Sequence, residues 1–141
     1  MTWEEVNVPA VRGGRLVTSR VRFAVGDACV VEVSVGDDID ARGEGPDLFE
    51  ALASARRQLE VRDVLVGCNG ARRDVFPSAM LRQATGGRRA YVLAVPRTAA
   101  RPPAVDIFAP APDMSALATV DEQRVWFDRW RQTGPSEGGA P

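Results

Sequence analysis

Two pairs of arginines flank one long loop, and no other residues of this sequence are better suited to hold an anion. One pair follows an Asn-Gly-Ala stretch near the start of the loop 67–89, and the other pair closes it after two glycines. A guanidinium presents a planar fork of N–H donors that matches carboxylate and phosphate oxygens. If the loop folds back on itself, the four guanidiniums converge on one face. The candidate binding residues of this loop are Arg72, Arg73, Arg88, Arg89, Asn69 and Ser78.

The same loop holds the best candidates for catalysis, Asp74 and Ser78. An arginine-rich site with one carboxylate could stabilise the charge that develops when a phosphate ester is cleaved. A small enzyme that acts on phosphate esters or nucleotides is therefore the alternative to a binding role. However, the neighbouring arginines stabilise the ionised form of Asp74, which makes this carboxylate a weak general base.

The residue types that are missing exclude much of enzyme chemistry. All 18 basic side chains are arginine, so the chain has neither histidine nor lysine. Without histidine there is no Ser-His-Asp or Cys-His pair and no imidazole metal ligand. Without lysine there is no Schiff base and no phosphate-binding lysine of the Walker type. Such arginine usage is typical of a high-GC bacterial genome, so the number of arginines alone says little about function.

Charge is distributed unevenly along the chain, although the net charge is only −1. Counting Arg, Asp and Glu gives a net charge of −5 for residues 1–55, +7 for residues 56–101 and −3 for residues 102–141. The acidic flanks and a pI of about 5.5 argue against nucleic acid as the partner. Another protein is the expected partner of the basic segment, with a small anionic ligand as the alternative.

An acidic loop between two predicted elements is the second candidate contact surface. Its carboxylates would suit a partner with a positively charged site, such as the phosphate site of a nuclease. The other interpretation is a solvated loop that keeps the preceding hairpin soluble. The candidate residues are Asp37, Asp38, Asp40 and Glu44.

The two cysteines, Cys29 and Cys68, both lie in apolar runs that predict strands. Free cysteine is among the most buried residue types, so two core thiols are favoured over a disulfide. Two cysteines without histidine are too few for a structural zinc site, and no cluster of carboxylates stands near them. The sequence therefore predicts no metal and no cofactor.

Hydrophobic periodicity predicts a β-hairpin followed by alternating helices and strands. Residues 16–25 and 28–35 each alternate with period two and are joined by Gly26-Asp27, which predicts a hairpin. An earlier strand, Trp3–Val8, is expected to end near Pro9. Further strands are predicted at Val64–Cys68, Ala90–Val95 and Val105–Phe108.

Two helices are predicted from apolar spacing and capping signals. Pro46-Asp47 fits the first turn of a helix that continues to Glu60. Thr119 and Glu122 form a capping box that predicts the start of the second helix. The expected apolar stripe of the second helix consists of Val125, Trp126, Phe127 and Trp130.

The loop 67–89 contains its own turns and apolar anchors. The Asn69-Gly70 pair favours positive φ and a tight turn, and Gly86-Gly87 permit a second reversal. Val75-Phe76 are expected to anchor the loop in the core, while Asp74 holds a neighbouring guanidinium. A short helical turn is expected at residues 77–81, with Met80 and Leu81 facing inwards. A loop of about 20 residues is uncommon in a compact domain unless it has a function.

The element order predicts an α+β fold, with an antiparallel or mixed sheet of about five to six strands and two helices packed on one face. Residues 1–134 are expected to form one domain, and residues 135–141 a disordered tail. No apolar run is long enough to cross a bilayer and no leader sequence opens the chain. The expected location is therefore the cytoplasm, and the oligomeric state stays open.

The stretch CNGARRDVFPSAM, with the later glycine pair, Ala90-Tyr91 and the run Val105–Phe108, resembles a family of small uncharacterised bacterial proteins. The shared pattern is Arg-Arg followed by Asp or Asn, an aromatic-Pro-Ser triplet and the glycine pair, and the resemblance extends from the first helix to the last. The family often has Gly where this chain has Ala79 and Asp where it has Gln83. The resemblance implies no catalytic activity, and a site that needs an acid at position 83 would be incomplete here.

A second resemblance is to the immunity proteins that neutralise bacterial toxins, and it concerns size and architecture only. Many of these are single α+β domains in the cytosol that lack catalytic residues and cover the active site of a toxin. Together with the absent chemistry, this favours a non-enzymatic protein-binding module of the immunity type. The basic and acidic loops are its expected contact surfaces.

Overall fold

The chain opens with a long β-hairpin, in a computed structural model that describes residues 1–134. β1 (Trp3–Arg12) and β2 (Arg15–Ala24) are joined by Gly13 and Gly14. Both glycines have positive φ, 56° and 79°, which suits a two-residue turn between right-twisted strands. The tail expected at residues 135–141 lies outside the described residues.

β1 continues past Pro9, so the expected end of this strand was wrong. The carbonyl of Pro9 accepts a hydrogen bond from the N–H of Gly67, 2.7 Å away, on the side of β1 that faces away from β2. The proline nitrogen therefore lies at a position where a missing N–H breaks no bond within the hairpin. Successive residues of a strand direct their N–H groups to opposite sides, so whether a strand tolerates proline depends on which side the missing N–H would face.

Three more strands complete a five-stranded antiparallel sheet of order β4-β3-β2-β1-β5. They are β3 (Cys29–Val35), β4 (Ile39–Gly45) and β5 (Val64–Val66). The inner face is apolar and packs against α1 (Leu48–Glu60). The outer face carries a row of alternating charge across four strands, formed by Glu5, Arg22, Glu32 and Arg42.

α1 begins at an N-cap and packs closely on β4. The side chain of Asp47 accepts a hydrogen bond from the N–H of Glu50, 2.9 Å away, so Asp47 caps the helix instead of belonging to its first turn. A Cβ on Gly43 would overlap the backbone of Ala51 and Ala55. Glycine at position 43 therefore lets the helix and the strand approach each other closely.

A second sheet, of order β6-β7-β8, corrects the expectation of a single sheet. Its strands are β6 (Val75–Phe76), β7 (Arg89–Val92) and β8 (Ala104–Asp106), and α2 (Ala79–Thr85) connects the first two. The described residues thus form eight strands in two antiparallel sheets. The strands predicted at Val64–Cys68, Ala90–Val95 and Val105–Phe108 correspond to β5, β7 and β8, which are shorter than predicted. The two-residue strand β6 was not predicted, because so short a run has no recognisable periodicity.

α3 (Val120–Gln132) closes the described part of the chain, and its predicted capping box is confirmed. The ring of Phe127 stacks on Phe76 at 4.0 Å between centroids, and Trp126 and Trp130 are partly buried. Val125, expected in the apolar stripe, is 50% exposed, whereas Gln123 is buried in its place. The described helices therefore number three instead of two, and the predicted α+β class is confirmed. None of the helices within residues 1–134 has the length and apolar character needed to span a membrane.

Candidate functional site

The predicted binding loop is a folded segment anchored at several points. Val75 and Phe76 are buried, which confirms that they anchor the loop in the core. Asn69 and Gly70 lie in a 3₁₀ turn without positive φ. Glycine is needed at position 70 for another reason, because a Cβ there would lie 2.7 Å from Leu52 Cδ2. Only the later reversal, at residues 86–87, uses positive φ as expected.

The orientation expected for Met80 was wrong, because its side chain is 74% exposed. The hydroxyl of Ser78 caps α2, and the helix that follows turns Arg82 towards α1. The Arg82 guanidinium lies 3.0 Å from a carboxylate oxygen of Asp47 and 3.0 Å from one of Glu50. An arginine that binds two carboxylates therefore links α2 to the start of α1.

No two of the four arginines of the predicted anion face bind the same acceptor. Arg72 forms two hydrogen bonds of 3.0 Å to the carboxylate of Asp74, which confirms the expected local pair. Arg88 lies between Glu4 (2.7 Å) and Asp106 (3.1 Å). The other two donate to backbone carbonyls, Arg73 to that of Ser115 and Arg89 to that of Ala104. These contacts hold the loop to the rest of the fold, and no acceptor in the described structure brings the four together.

The two candidate catalytic groups also have structural partners. Both carboxylate oxygens of Asp74 accept hydrogen bonds from Arg72. The hydroxyl of Ser78 accepts a hydrogen bond of 3.1 Å from the N–H of Leu81, as an N-cap does. Within the described residues no hydrogen bond joins Asp74 to Ser78, so this geometry does not pair a base with a nucleophile.

The expectation of an acidic loop was wrong in part, because Asp40 and Glu44 lie in β4 and only Asp37 and Asp38 lie in the turn before it. These four residues are held by their own ion pairs and hydrogen bonds. Asp38 forms a two-bond contact with Arg12, and the hydrogen bond from Arg12 holds the pKa of Asp38 below its ordinary value. Asp40 accepts a hydrogen bond of 2.8 Å from the hydroxyl of Ser34. The remaining two are Asp37, which is exposed, and Glu44, which lies 2.6 Å from Arg42.

A buried arginine that the sequence analysis missed holds the loop to α3. Arg56 on α1 is 2% exposed and donates to the side-chain oxygen of Gln123 at 2.7 Å and to the carbonyls of Gly70 (3.1 Å) and Ala118 (2.8 Å). Burial lowers the pKa of Arg56 from its ordinary value. The spacing carried a signal, because position 56 lies four residues after Leu52, within the apolar stripe of α1.

Both cysteines are buried free thiols, which confirms the predicted core location. Burial raises the pKa of the Cys68 thiol to about 11, so little thiolate forms at neutral pH. Among residues 1–134, no three His, Cys, Asp or Glu side chains lie close enough together to hold a metal ion.

Two largely apolar concavities lie between the second sheet, the segment after β7 and the end of α3. One has a volume of about 750 Å³ and the other about 460 Å³, and both are lined by Arg97 and Trp130. Two exposed apolar side chains, Val95 and Met80, line this region, and each is 74% exposed. We call this region the Trp130 surface; it consists of Met80, Tyr91, residues 94–103, Trp126, Arg129 and Trp130.

The Trp130 surface is fixed by contacts between the segment after β7 and α3. The indole N–H of Trp130 donates to the carbonyl of Ala94 at 2.9 Å. The Arg97 guanidinium lies 4.3 Å from the centroid of the Trp130 ring, and it donates to the carbonyls of Arg131 and Thr133 at the end of α3. These contacts orient Trp130 before any partner binds.

The charge of the Trp130 surface is positive. None of the described residues that line it is Asp or Glu, whereas three are arginines. Arg97 binds uncharged carbonyls, and Arg101 and Arg129 take part in no ion pair within residues 1–134. The surface therefore combines exposed apolar area with positive charge that no carboxylate in the described structure neutralises.

Comparison with known proteins gives no family for this chain. No model of a protein family matches it, and no curated protein matches it significantly. Its function is therefore argued from the geometry alone.

Proposed function

We propose that this protein is a non-enzymatic protein-binding module that contacts its partner through the Trp130 surface. The observation that supports this proposal is the combination of apolar concavities and unneutralised arginines at one place. Trp, Tyr, Met and Arg are the residue types enriched in protein interfaces, and Trp, Tyr and Arg dominate their energetic hot spots. Trp130, Tyr91, Met80 and Arg97 all belong to this surface.

The chemistry of the surface defines the partner that fits it. Apolar side chains of a partner would enter the concavities beside Trp130 and Val95. Arg101 and Arg129 would meet carboxylates, because opposite charges across an interface increase the association rate and favour the correct partner. The expected ligand is therefore an acidic protein segment that also presents apolar side chains.

Within this proposal, the chain's size and α+β class favour an immunity-type protein. Such a protein would cover its partner toxin or enzyme instead of acting on it. The acidic loop offers less support for contact with a positively charged site, because Asp38 is already paired with Arg12 and Glu44 with Arg42. We therefore propose an acidic surface, and not a phosphate-binding site, as the part of the partner that is covered.

The enzymatic alternative would require Asp74 and Ser78 to act on a phosphate compound. Their contacts with Arg72 and Leu81 hold the loop in place. Asp74→Asn is therefore expected to loosen the loop without abolishing a reaction. Thermal-shift screening with small phosphate compounds would reveal the enzymatic alternative, since an enzyme should be stabilised by its own ligand.

A titration with defined peptides tests the chemistry of the Trp130 surface. The acidic peptide Glu-Leu-Asp-Leu-Glu-Leu should shift the indole N–H resonance of Trp130 in ¹⁵N spectra. The basic peptide Lys-Leu-Arg-Leu-Lys-Leu should not shift it. Arg101→Glu combined with Arg129→Glu should weaken binding of the acidic peptide by about tenfold or more, and added salt should weaken it as well.

The matched control reverses two exposed arginines elsewhere, Arg15→Glu with Arg62→Glu. Both are exposed and take part in no ion pair among the described residues. The control changes the net charge by the same amount, so it separates a local contact from general attraction. Equal weakening by both double variants would count against the Trp130 surface as the contact.

A further inference from the structure

The outer edge of β1 carries backbone groups that the described structure leaves unpaired. The carbonyl of Val8 faces β2, where it accepts a hydrogen bond from Ser19, and the carbonyl of Pro9 faces the other way, towards Gly67. Because the backbone of a strand alternates, Asn7 and Glu5 face outwards like Pro9. Hydrogen bonds to β5 begin only at the other end of β1, with Ala10–Arg12.

The neighbouring strand ends where this free edge begins. After the bond from Gly67 to Pro9, the chain turns away into the 3₁₀ turn Asn69–Ala71. Among residues 1–134, no strand pairs with β1 between Trp3 and Asn7 on that side. Opposite this stretch, a groove of about 320 Å³ lies between β1 and the segment around Phe108.

The far edge of the same sheet is covered at one position, Arg42 of β4. The N–H of Arg42 on β4 donates to the side-chain oxygen of Gln58, and the Gln58 amide donates to the carbonyl of Arg42 at 2.6 Å. A side chain of α1 thus occupies the position of a neighbouring strand. Proteins usually cover or charge such edges, because free N–H and C=O groups recruit other strands.

The groove beside β1 is apolar at its floor and acidic at its rim. Phe23 and Phe108 stack at 3.8 Å between centroids beneath the groove; both are buried, and the Arg88 guanidinium lies 4.8 Å from the centroid of Phe23. The two carboxylates of the rim, those of Glu4 and Asp106, are both bound by Arg88. Glu5 adds a third carboxylate along the edge, with its side chain on the outer face of the sheet beside Arg22. Glu5 takes part in no ion pair among the described residues. Like charges oppose pairing with a second copy of this edge, whereas a basic strand would be attracted.

We infer that the Trp3–Asn7 edge of β1 binds an extended, basic segment of a partner protein by strand addition. The N–H and C=O groups of Glu5 and Asn7 would form the backbone hydrogen bonds. An apolar side chain of the segment would face Phe108 in the groove, and a Lys or Arg would contact Glu5. This site lies apart from the Trp130 surface, has the opposite charge and does not depend on the proposed function.

Hydrogen exchange in the free protein tests whether the edge is open. The amides of Glu5 and Asn7 should exchange much faster than those of Val6 and Val8, which face β2. The basic peptide Thr-Lys-Val-Arg-Val-Lys-Thr should then slow exchange at Glu5 and Asn7. Protection of these two amides in the free protein would overturn the inference, and protection that rises with protein concentration would assign the edge to a second copy.

Two changes separate backbone pairing from attraction of charge. N-methylation of the edge-facing amides of the peptide should abolish its binding, since it removes the donors. Glu5→Pro removes the outward N–H without touching a bond to β2 and should weaken binding about tenfold or more, whereas Glu5→Gln keeps the N–H and should weaken it less. Glu44→Gln, on the far strand, is the control.

The inference fails if the N-methylated peptide binds as well as the unmodified one. This result would be independent of the folding of the Glu5→Pro variant. It would also leave the proposed function untouched, because the acidic peptide and the Trp130 indole resonance report on the other surface.

Discussion

Arg56 connects three distant parts of the chain through one side chain. Its acceptors are Gly70, Ala118 and Gln123, which lie 14, 62 and 67 residues away along the sequence. Position 56 lies four residues after Leu52, on the buried side of α1, although arginine is a residue type usually found on a solvated face. Which groups accept its hydrogen bonds depends on non-local packing, and no local pattern contains that information.

Removal of Arg56 is expected to destabilise the protein strongly. Arg56→Ala leaves the oxygens of Ala118 and Gln123 buried without a donor, which should lower the free energy of unfolding by about 3 kcal/mol. The carbonyl of Gly70 keeps a second donor, the side-chain amide of Gln123. Arg57→Ala on the same helix is the matched control. Arg57 forms an exposed pair with Asp121, so its loss should cost about 0.5 kcal/mol or less. Urea unfolding measures both, and equal losses would contradict the role given to Arg56.

The Cys68 thiol should make stability depend on pH in the alkaline range. Its pKa rises from 9.0 to about 11 in the fold, because burial disfavours the thiolate. A pKa raised on folding contributes stability that is complete below about pH 9 and is lost as the pH rises towards about 11.

Cys68→Ala should reduce this alkaline loss of stability, although it also leaves a small cavity and the Cys29 thiol, whose pKa is likewise raised by burial. The comparison is therefore the slope of the unfolding free energy between about pH 9 and about pH 11, and not its value at pH 7. A variant with the same slope as the parent protein would show that other groups cause the loss.

At the scale of elements, local patterns predicted most strands and helices, including the short strands β5, β7 and β8, whereas β4 was expected as a loop and β6 was missed. The period-two runs gave β2 and β3, and apolar spacing with capping signals gave α1 and α3. The second sheet was missed as a separate unit, because its pairings join residues far apart in sequence. The position of proline in β1 was misjudged, because its tolerance depends on which way the backbone faces.

The contact between β4 and α1 should tolerate no side chain at position 43. Gly43→Ala would place a Cβ against the backbone of Ala51 and Ala55, which cannot move without shifting the helix. The expected loss is about 3 kcal/mol in the free energy of unfolding. Gly86→Ala is the control: φ there is 64°, but no atom lies within 4 Å, so a loss of about 1 kcal/mol is expected.

A larger loss for Gly86→Ala than for Gly43→Ala would contradict this packing. Backbone strain at the left-handed turn would then matter more than the approach of the helix to the sheet. Thermal unfolding of the two variants, side by side with the parent protein, is sufficient to rank them.

At the scale of the whole molecule, ion pairs between the basic middle segment and the acidic flanks hold distant parts of the chain together. Arginines of the basic middle segment bind acids from both flanks: Arg82 binds Asp47, Arg88 binds Glu4, and Arg57 binds Asp121. The sequence showed the segments but not which arginines stay unneutralised. Several arginines have no carboxylate partner among the described residues, including Arg73 and Arg89 of the loop, which donate to carbonyls. Only at the Trp130 surface do such arginines lie beside the apolar concavities described above.

The central claim is that this protein works by binding a partner protein through the Trp130 surface. The most direct measurement is photo-crosslinking in the host cell, with a photoreactive amino acid placed at one exposed apolar position at a time. Val95 and Met80 lie on the surface, and each is 74% exposed. Leu16 and Val61, which are 71% and 85% exposed, lie elsewhere and serve as matched controls.

The account predicts one discrete crosslinked protein from Val95 and from Met80 and none from the two control positions. Arg101→Glu with Arg129→Glu should abolish that product, because it reverses the charge that attracts the partner. Crosslinks of equal yield at all four positions, or none at Val95 and Met80, would contradict the account.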